Sequence, residues 1–175
     1  AAGVSNSGEE SPQAFLREKN SLHRCIEGGG FLVYFSTCSV YDCSQSEVPY
    51  VKHKLEMESI CRNSEQYAIF RLPQVVGFSD NPYTLTNFLW NAISSKSKFK
   101  VWEHASRILI DVDDVASIVS HLLEEGLANN STINIAHRYA LPVLEIVEIF
   151  EELLGLKAEY DLVDRGNAYE VDCSL

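Results

Sequence analysis

Tyr50 and Lys54 stand four residues apart, a spacing that places both side chains on one face of a helix, one turn apart. A phenol has a reference pKa of about 10, which is too high for a base at neutral pH. A neighbouring ammonium favours the phenolate, and the positive end of a helix dipole acts in the same direction. The pair therefore predicts a tyrosine that exchanges a proton with a hydroxyl or a ketone.

A third hydroxyl precedes this helix. Residues 31–35 (FLVYF) form a continuous apolar run, typical of a strand buried on both faces of a parallel sheet, and Thr37 follows it. Open α/β sheets bind their ligands at the carboxyl ends of the strands, where Thr37 would hydrogen-bond the same substrate oxygen. Thr37, Tyr50 and Lys54 thus form a candidate catalytic core. The alternative is that Tyr50 and Lys54 are only a pair on a helix surface.

Elements that alternate between helix and strand must position these residues. The predicted helices span 11–27, 50–63, 84–95, 113–125 and 141–154. The predicted strands span 31–35, 67–72, 99–103, 108–112 and 132–136, with an edge strand near 160–163. Ser11 and either Asp113 or Asp114 are the expected helix N-caps. This alternation predicts an α/β fold with a doubly wound parallel sheet.

No glycine-rich strand–turn–helix motif of the GxGxxG kind occurs, and the glycines at 28–30 precede a strand instead of following one.

The composition restricts the classes of partner. The chain has 175 residues, a net charge of −11 and a pI of about 4.8, which argues against nucleic acid and, more weakly, against an anionic membrane. Its five cysteines form no CxxC pair and have no histidine at zinc-finger spacing, so we expect no metal and reduced thiols in a cytoplasmic protein. His53, inside the Tyr–Lys turn, is expected to be exposed.

The order of several short motifs resembles the extended short-chain dehydrogenases/reductases, in particular the NAD-dependent nucleotide-sugar epimerases and dehydratases. The matching stretches are 1–3 (AAG), Asn20, 35–41 (FSTCSVY), 49–58 (PYVKHKLEME), 71–77 (RLPQVVG) and 107–115 (RILIDVDDV). The resemblance covers nearly the whole chain. It implies NAD or NADP as cofactor and a nucleotide sugar as substrate. It also implies two parts: residues 1–78 and 107–137 would form the carboxyl-terminal portion of a Rossmann-like, dinucleotide-binding domain, and residues 79–106 and 138–175 a small substrate-binding lobe.

The resemblance also implies roles for single residues. Thr37 matches the catalytic Ser/Thr that also contacts substrate, Tyr50 the acid/base and Lys54 the contact to the cofactor ribose; Tyr50 too would contact the cofactor. Pro73 matches a position beside the nicotinamide. Two further matches are expected to bind substrate, Gln74 and Arg107, and a planar guanidinium such as that of Arg107 suits a diphosphate.

Departures from the family pattern narrow the expected activity. The glycine-rich loop of the family is missing, so the chain is expected to lack the first elements of the cofactor fold. Cys38 and Ser39 stand where the dehydratases carry an acidic pair, which favours epimerisation or reduction over dehydration. A non-catalytic dinucleotide-sensing module and a reductase of a small non-nucleotide substrate remain as alternatives. The resemblance further implies a homodimer through helices 11–27 and 50–63, with Leu16, Val51 and Leu55 as surface to bury.

Overall fold

The structure, a computed structural model, describes residues 3–174. The helices are α1 (Pro12–Glu27), α2 (Pro49–Cys61), α3 (Leu85–Ser94), α4 (Val112–Glu124) and α5 (Val143–Leu154). The strands are β1 (Leu32–Thr37), β2 (Tyr67–Leu72), β3 (Gln74–Val76), β4 (Phe99–Trp102), β5 (Ser106–Arg107), β6 (Leu109–Asp111), β7 (Ser131–Asn134), β8 (Leu141–Pro142) and β9 (Tyr160–Val163).

A parallel sheet with helices on both faces forms the centre of the molecule. Its strand order is β1-β2-β7, and β2 is paired with a parallel neighbour on each side. Because side chains alternate along β2, Ile69 packs with α1 and α2 on one face, whereas Ala68 and Phe70 pack with α4 on the other. The predicted doubly wound α/β fold is confirmed.

A second apolar cluster lies beside this sheet, between α3, β4 and α5. Leu89, Val101 and Ile146 are among its most buried members, each about 1–2% exposed. β4 pairs in parallel with β9, so the predicted edge strand near residue 160 is present. β3 pairs in parallel with β6, and β5 pairs antiparallel with β8, which brings Arg107 opposite Leu141.

The ends of two helices differ from the prediction. The structure caps α4 with Asp111, whose carboxylate accepts the Asp113 N–H, so Asp113 and Asp114 lie inside the helix. α5 begins at Val143, because residues 141–142 extend toward β5 instead of starting the helix. The cap of α1 is as predicted, since the Ser11 hydroxyl accepts the Ala14 N–H at 3.4 Å.

Two predictions about exposure were wrong. His53 is only 5% exposed, because its ring stacks on Phe15 of α1 with centroids 4.5 Å apart. Val51 is 1% exposed inside the chain, so it offers no surface to a second copy, whereas Leu16 and Leu55 are exposed. The expected strand end at 1–3 lies partly outside the described residues, and Gly3 itself forms a bend.

Residues 3–174 show no disulfide bond, no membrane-spanning helix and no cluster suited to a metal ion. All five thiols are free, with Cys38 and Cys61 buried. Within residues 3–174, no helix is long and apolar enough to cross a membrane. The same residues contain no group of three or more acidic, histidine or cysteine side chains arranged for a metal ion.

Candidate functional site

A cavity of about 300 Å³ opens at the carboxyl edge of the sheet, where β1 and β2 end. All six residues that the sequence singled out line it: Thr37, Tyr50, Lys54, Pro73, Gln74 and Arg107. They come from four separate stretches of the chain, which the parallel strands bring to one edge. The structure therefore brings every candidate residue to one place.

Tyr50 brings a buried phenol to this cavity. It stands in the first turn of α2, which begins at Pro49, and its side chain is 7% exposed. Burial raises the pKa of Tyr50 to about 12, the nearby Thr37 hydroxyl opposes this by hydrogen bonding, and the negative charge of Glu18 adds to the rise. The sequence predicted a lowered pKa, and this prediction was wrong. Tyr50 is therefore a protonated phenol at neutral pH.

Thr37 is held in place by the backbone turn that follows β1. Its Oγ1 accepts the Ser39 N–H at 3.1 Å, so Thr37 caps the 3₁₀ turn of Cys38–Tyr41. Its side chain is 7% exposed and lines the cavity beside Tyr50. Because the Thr37 hydroxyl also hydrogen-bonds Tyr50, the two hydroxyls lie side by side in the cavity.

Lys54 is tied into the protein as well as facing the cavity. Its ammonium donates to Glu18 Oε1 at 2.9 Å, to the Tyr34 hydroxyl at 3.1 Å and, at the limit of 3.5 Å, to the Phe35 carbonyl. It also lies 5.9 Å from the centre of the Tyr50 ring. The ion pair with Glu18 explains why Lys54 does not lower the pKa of Tyr50 as the sequence predicted.

Arg107 brings a positive charge to the cavity wall. One guanidinium nitrogen donates to the Ser106 carbonyl at 2.8 Å, and within residues 3–174 Arg107 forms no ion pair. Gln74 is anchored by its backbone, whose N–H donates to the Ile108 carbonyl. A half-buried guanidinium without a carboxylate partner is suited to an anionic ligand.

Several cavity residues escaped the sequence reasoning. They include Ser5, Ser7, Gln45, Asn81, Tyr83 and Tyr169. Tyr169 arrives from the chain's last residues, and burial raises its pKa while Arg107 opposes the rise. Nothing in the spacing around Tyr169 signals this placement. Asn20, by contrast, does not line the cavity.

A buried acidic residue supports the cavity floor. Glu58 is fully buried one turn after Lys54, and it accepts two bonds from Arg71, at 2.8 and 2.7 Å. The Ser36 hydroxyl donates to it at 2.7 Å, and Arg62 donates at 3.1 Å. Glu58 therefore fixes α2 to β1 and β2, the two strands whose ends form the cavity.

The residues present fit one end of a dinucleotide. A phenol, an ammonium and a threonine hydroxyl meet beside Pro73, which suits the hydroxyls of a ribose and the edge of a nicotinamide. The given sequence contains no glycine-rich phosphate loop, so its residues offer no comparable binding site for the adenine half of the cofactor. The fit is therefore to the nicotinamide-ribose end.

Comparison with known proteins gives a family and a fold. A family model described as the NAD dependent epimerase/dehydratase family matches residues 20–136. No curated protein matches significantly. A UDP-glucuronic acid 4-epimerase from Bacillus cereus, solved with UDP-glucuronic acid and NAD, is 18% identical with a TM-score of 0.74, covering 96% of this chain and 62% of its own.

Two further solved structures share the fold at a similar level of sequence identity. A dTDP-glucose 4,6-dehydratase double mutant from Streptomyces venezuelae, with NAD and DAU bound, is 16% identical with a TM-score of 0.75, covering 92% of this chain and 57% of its own. RMD from Pseudomonas aeruginosa, complexed with NADPH, is 18% identical with a TM-score of 0.62, covering 90% and 63%. The chain thus spans less than two thirds of the length of each of these structures.

Proposed function

Because this chain belongs to the NAD dependent epimerase/dehydratase family, we propose that it supplies the proton-transfer and substrate-binding side of an NAD- or NADP-dependent epimerase or reductase of nucleotide sugars. The observation that carries the proposal is the single cavity in which Thr37, Tyr50 and Lys54 meet Arg107. Three proton-handling groups suit a hydroxyl or carbonyl, and an unpaired guanidinium suits a diphosphate.

Each residue of the catalytic core has a separate task in this proposal. A nicotinamide cofactor, when bound, supplies hydride exchange with a sugar carbon. Tyr50 moves the proton of the oxygen on that carbon, donating it to a carbonyl or accepting it from a hydroxyl. Thr37 hydrogen-bonds the same oxygen as its charge changes. Lys54 holds a ribose hydroxyl of the cofactor and keeps its positive charge near the phenol.

The cavity lining argues against dehydration. Elimination of water requires an added acid and base, usually carboxyl groups. Among the described residues that line the cavity, none is an aspartate or a glutamate. Ser39 faces the cavity, whereas Cys38 is buried with its thiol donating to the Arg71 carbonyl, and burial raises the pKa of that thiol to about 12. Neither can replace an acidic pair.

The function is tested with the full-length protein, supplied with UDP-glucose and NAD for epimerisation, or with a UDP-4-keto sugar and NADPH for reduction. We expect Arg107→Ala to raise KM for the sugar nucleotide about tenfold or more while kcat changes little, because the diphosphate does not react and its contact is equal in ground and transition states. The readout is product formation by chromatography over a range of sugar-nucleotide concentrations. Arg138→Ala, another arginine of the same chain outside the cavity lining, is the matched control.

Two outcomes would select the alternatives. If KM is unchanged in Arg107→Ala, the substrate need not carry a diphosphate, and a reductase of small substrates becomes the better assignment. If the wild-type protein binds NAD but converts no sugar nucleotide or small carbonyl compound, the site serves a dinucleotide-sensing module.

We further propose that residues 79–106 and 138–175 act as the substrate lobe and that two copies pair through α1 and α2. Leu16 and Leu55 are 56% and 43% exposed on these helices, which leaves apolar surface for a partner. Pairing of this face between two copies would be isologous, with each helix meeting its own counterpart.

The pairing predicts a change of mass when charge is introduced at this face. Leu16→Glu with Leu55→Glu is expected to convert a dimer of the full-length protein into a monomer, since four buried carboxylates would face each other. Light scattering at a series of dilutions measures the change. Leu127→Glu, an equally exposed leucine on the opposite side of the sheet, should leave the mass unchanged. A wild-type protein that is already monomeric at high concentration would contradict the pairing.

A further inference from the structure

Glu18 is a buried carboxylate at the junction of α1, α2 and β1. It is 3% exposed, and no part of the proposed chemistry uses it. Its Oε1 accepts from Lys54 and from the Tyr34 hydroxyl, both at 2.9 Å. Its Oε2 accepts from the Val4 N–H at 2.9 Å and contacts His53 Nε2 at 2.8 Å. Both oxygens are therefore fully used, two partners each.

The surroundings hold Glu18 itself in one position. The His53 ring is stacked on Phe15, which is also on α1, so it cannot turn away from the carboxylate. A Cβ added at Gly3 would come within 2.9 Å of Glu18 Oε1, so the chain before Val4 packs directly on the carboxylate. Burial acts to raise the pKa of Glu18, but the bonds from Lys54, Val4 and His53 outweigh it, so the pKa is lowered and the carboxylate is charged.

The three N–H donors of Lys54 are not equally well bound. An ammonium has three N–H donors. Two make short bonds, to Glu18 Oε1 and to the Tyr34 hydroxyl. The third reaches only the Phe35 carbonyl, at 3.5 Å, the weakest of the three contacts. Because Lys54 also lines the cavity, this third N–H is the one that a ligand can take over.

We propose that Glu18 is a positioning residue for cofactor binding: with Tyr34 it holds two of the three N–H donors of Lys54, so that the third is directed to a cofactor hydroxyl in the cavity. This inference rests on the proposed function for the identity of the ligand. It adds that a residue of α1, outside the stretch matched by the family model, controls the geometry of the site. Glu18 acts through Lys54 and touches no ligand.

The test is a double-mutant cycle in the full-length protein, with NADH as probe and its dissociation constant, measured by fluorescence, as readout. Glu18→Gln should weaken NADH binding about tenfold or more, the effect of one misdirected charge-assisted hydrogen bond. Lys54→Met should weaken it at least as much. The double variant Glu18→Gln/Lys54→Met should bind no more weakly than Lys54→Met alone, because Glu18 has no route to the cofactor without Lys54.

Glu56→Gln is the matched control. Glu56 forms an ion pair with Lys19 across the same two helices, but both side chains are exposed, at 51% and 39%. Like Glu18→Gln, the substitution removes one carboxylate charge, but it lies on α2 and does not contact Lys54. NADH binding should therefore equal that of the wild type.

A second readout needs no cofactor. Nitrogen-15 spectra of the lysine side chains should show the Lys54 ammonium, identified by its loss in Lys54→Met, as a slowly exchanging signal in the wild type and in Glu56→Gln. The signal should broaden or vanish in Glu18→Gln. If the wild type does not bind NADH, the proposed cofactor is wrong, while this spectrum alone still decides whether Glu18 positions Lys54.

Two results would overturn the inference. Additive losses in the double variant would show that Glu18 acts on the fold and not through Lys54. An unchanged Lys54 signal in Glu18→Gln would show that Tyr34 suffices to hold the ammonium. If Glu18→Gln does not fold, the comparison of Lys54→Met with the double variant, in which both buried charges are absent, still carries the test.

Discussion

Replacing Tyr50 with phenylalanine is expected to lower kcat by about 10²–10⁴-fold, the usual contribution of a general acid–base group. The substitution keeps the ring that fills the site and removes only the hydroxyl. KM for the sugar nucleotide should change little, since the proton is exchanged in the transition state and the rest of the substrate is bound elsewhere. The measurement is steady-state turnover of UDP-glucose by the full-length protein.

Tyr139→Phe is a suitable control for this experiment. Tyr139 is 70% exposed and does not line the cavity, so its hydroxyl should be dispensable. If Tyr50→Phe keeps near-normal turnover, another group must move the proton, and the proposed mechanism fails even though the fold and the family assignment stand.

Glu58→Gln is expected to lower the free energy of unfolding by about 3–5 kcal/mol, the usual cost of removing one partner from a buried ion pair. Glu58 is fully buried and accepts bonds from Arg71, Ser36 and Arg62. A neutral amide offers one acceptor oxygen in place of two and leaves the Arg71 guanidinium without its counter-charge. Denaturant unfolding followed by circular dichroism measures the loss.

The loss should depend on pH in a defined direction. Burial by itself would raise the pKa of Glu58. The hydrogen bonds from Arg71, Ser36 and Arg62, together with the positive charge of Arg71, outweigh burial and lower this pKa. A lowered folded-state pKa means that the stabilisation is fully present above the unfolded pKa of about 4.3 and is lost as the pH falls through the folded value. The wild type and Glu58→Gln should therefore differ most at neutral pH and converge in acid.

Glu56→Gln again serves as the comparison, because exposed pairs such as Lys19–Glu56 contribute at most about 1 kcal/mol. Should Glu58→Gln cost as little as Glu56→Gln, the buried network would not be what holds α2 to the sheet.

The fold could be predicted because its signals are local and repeated. The strand β2 (Tyr67–Leu72) was placed to the residue, since a strand covered on both faces reads as a nearly continuous apolar run, here interrupted only by Arg71. α1 was recognised from Ser11, Pro12 and Gly28 at its ends. Boundaries that depend on a partner were missed, as at 141–142, where pairing with β5 overrides an otherwise helical pattern.

The candidate site was predictable for a similar reason. Parallel strands end at one edge, so Thr37 and the Pro73–Gln74 pair had to lie together, and the four-residue spacing brought Tyr50 and Lys54 to the same place. The electrostatics were not predictable. Lys54 meets Glu18 across 36 residues of sequence, and nothing in a helix of mixed polarity marks one glutamate as buried. The predicted effect of Lys54 on Tyr50 was wrong for that reason.

The cavity wall is closed by the two ends of the described chain. Val4, Ser5 and Ser7 line it from one end and Tyr169 from the other, while Asn134 binds the Asp172 carbonyl to hold the last segment down. Ribosomes add residues one at a time and release the carboxyl end last. The sheet and its helices can therefore form on a growing chain, but the binding site is finished only after translation has passed Tyr169. A nascent chain stalled before Tyr169 would lack the part of the cavity wall that this residue forms.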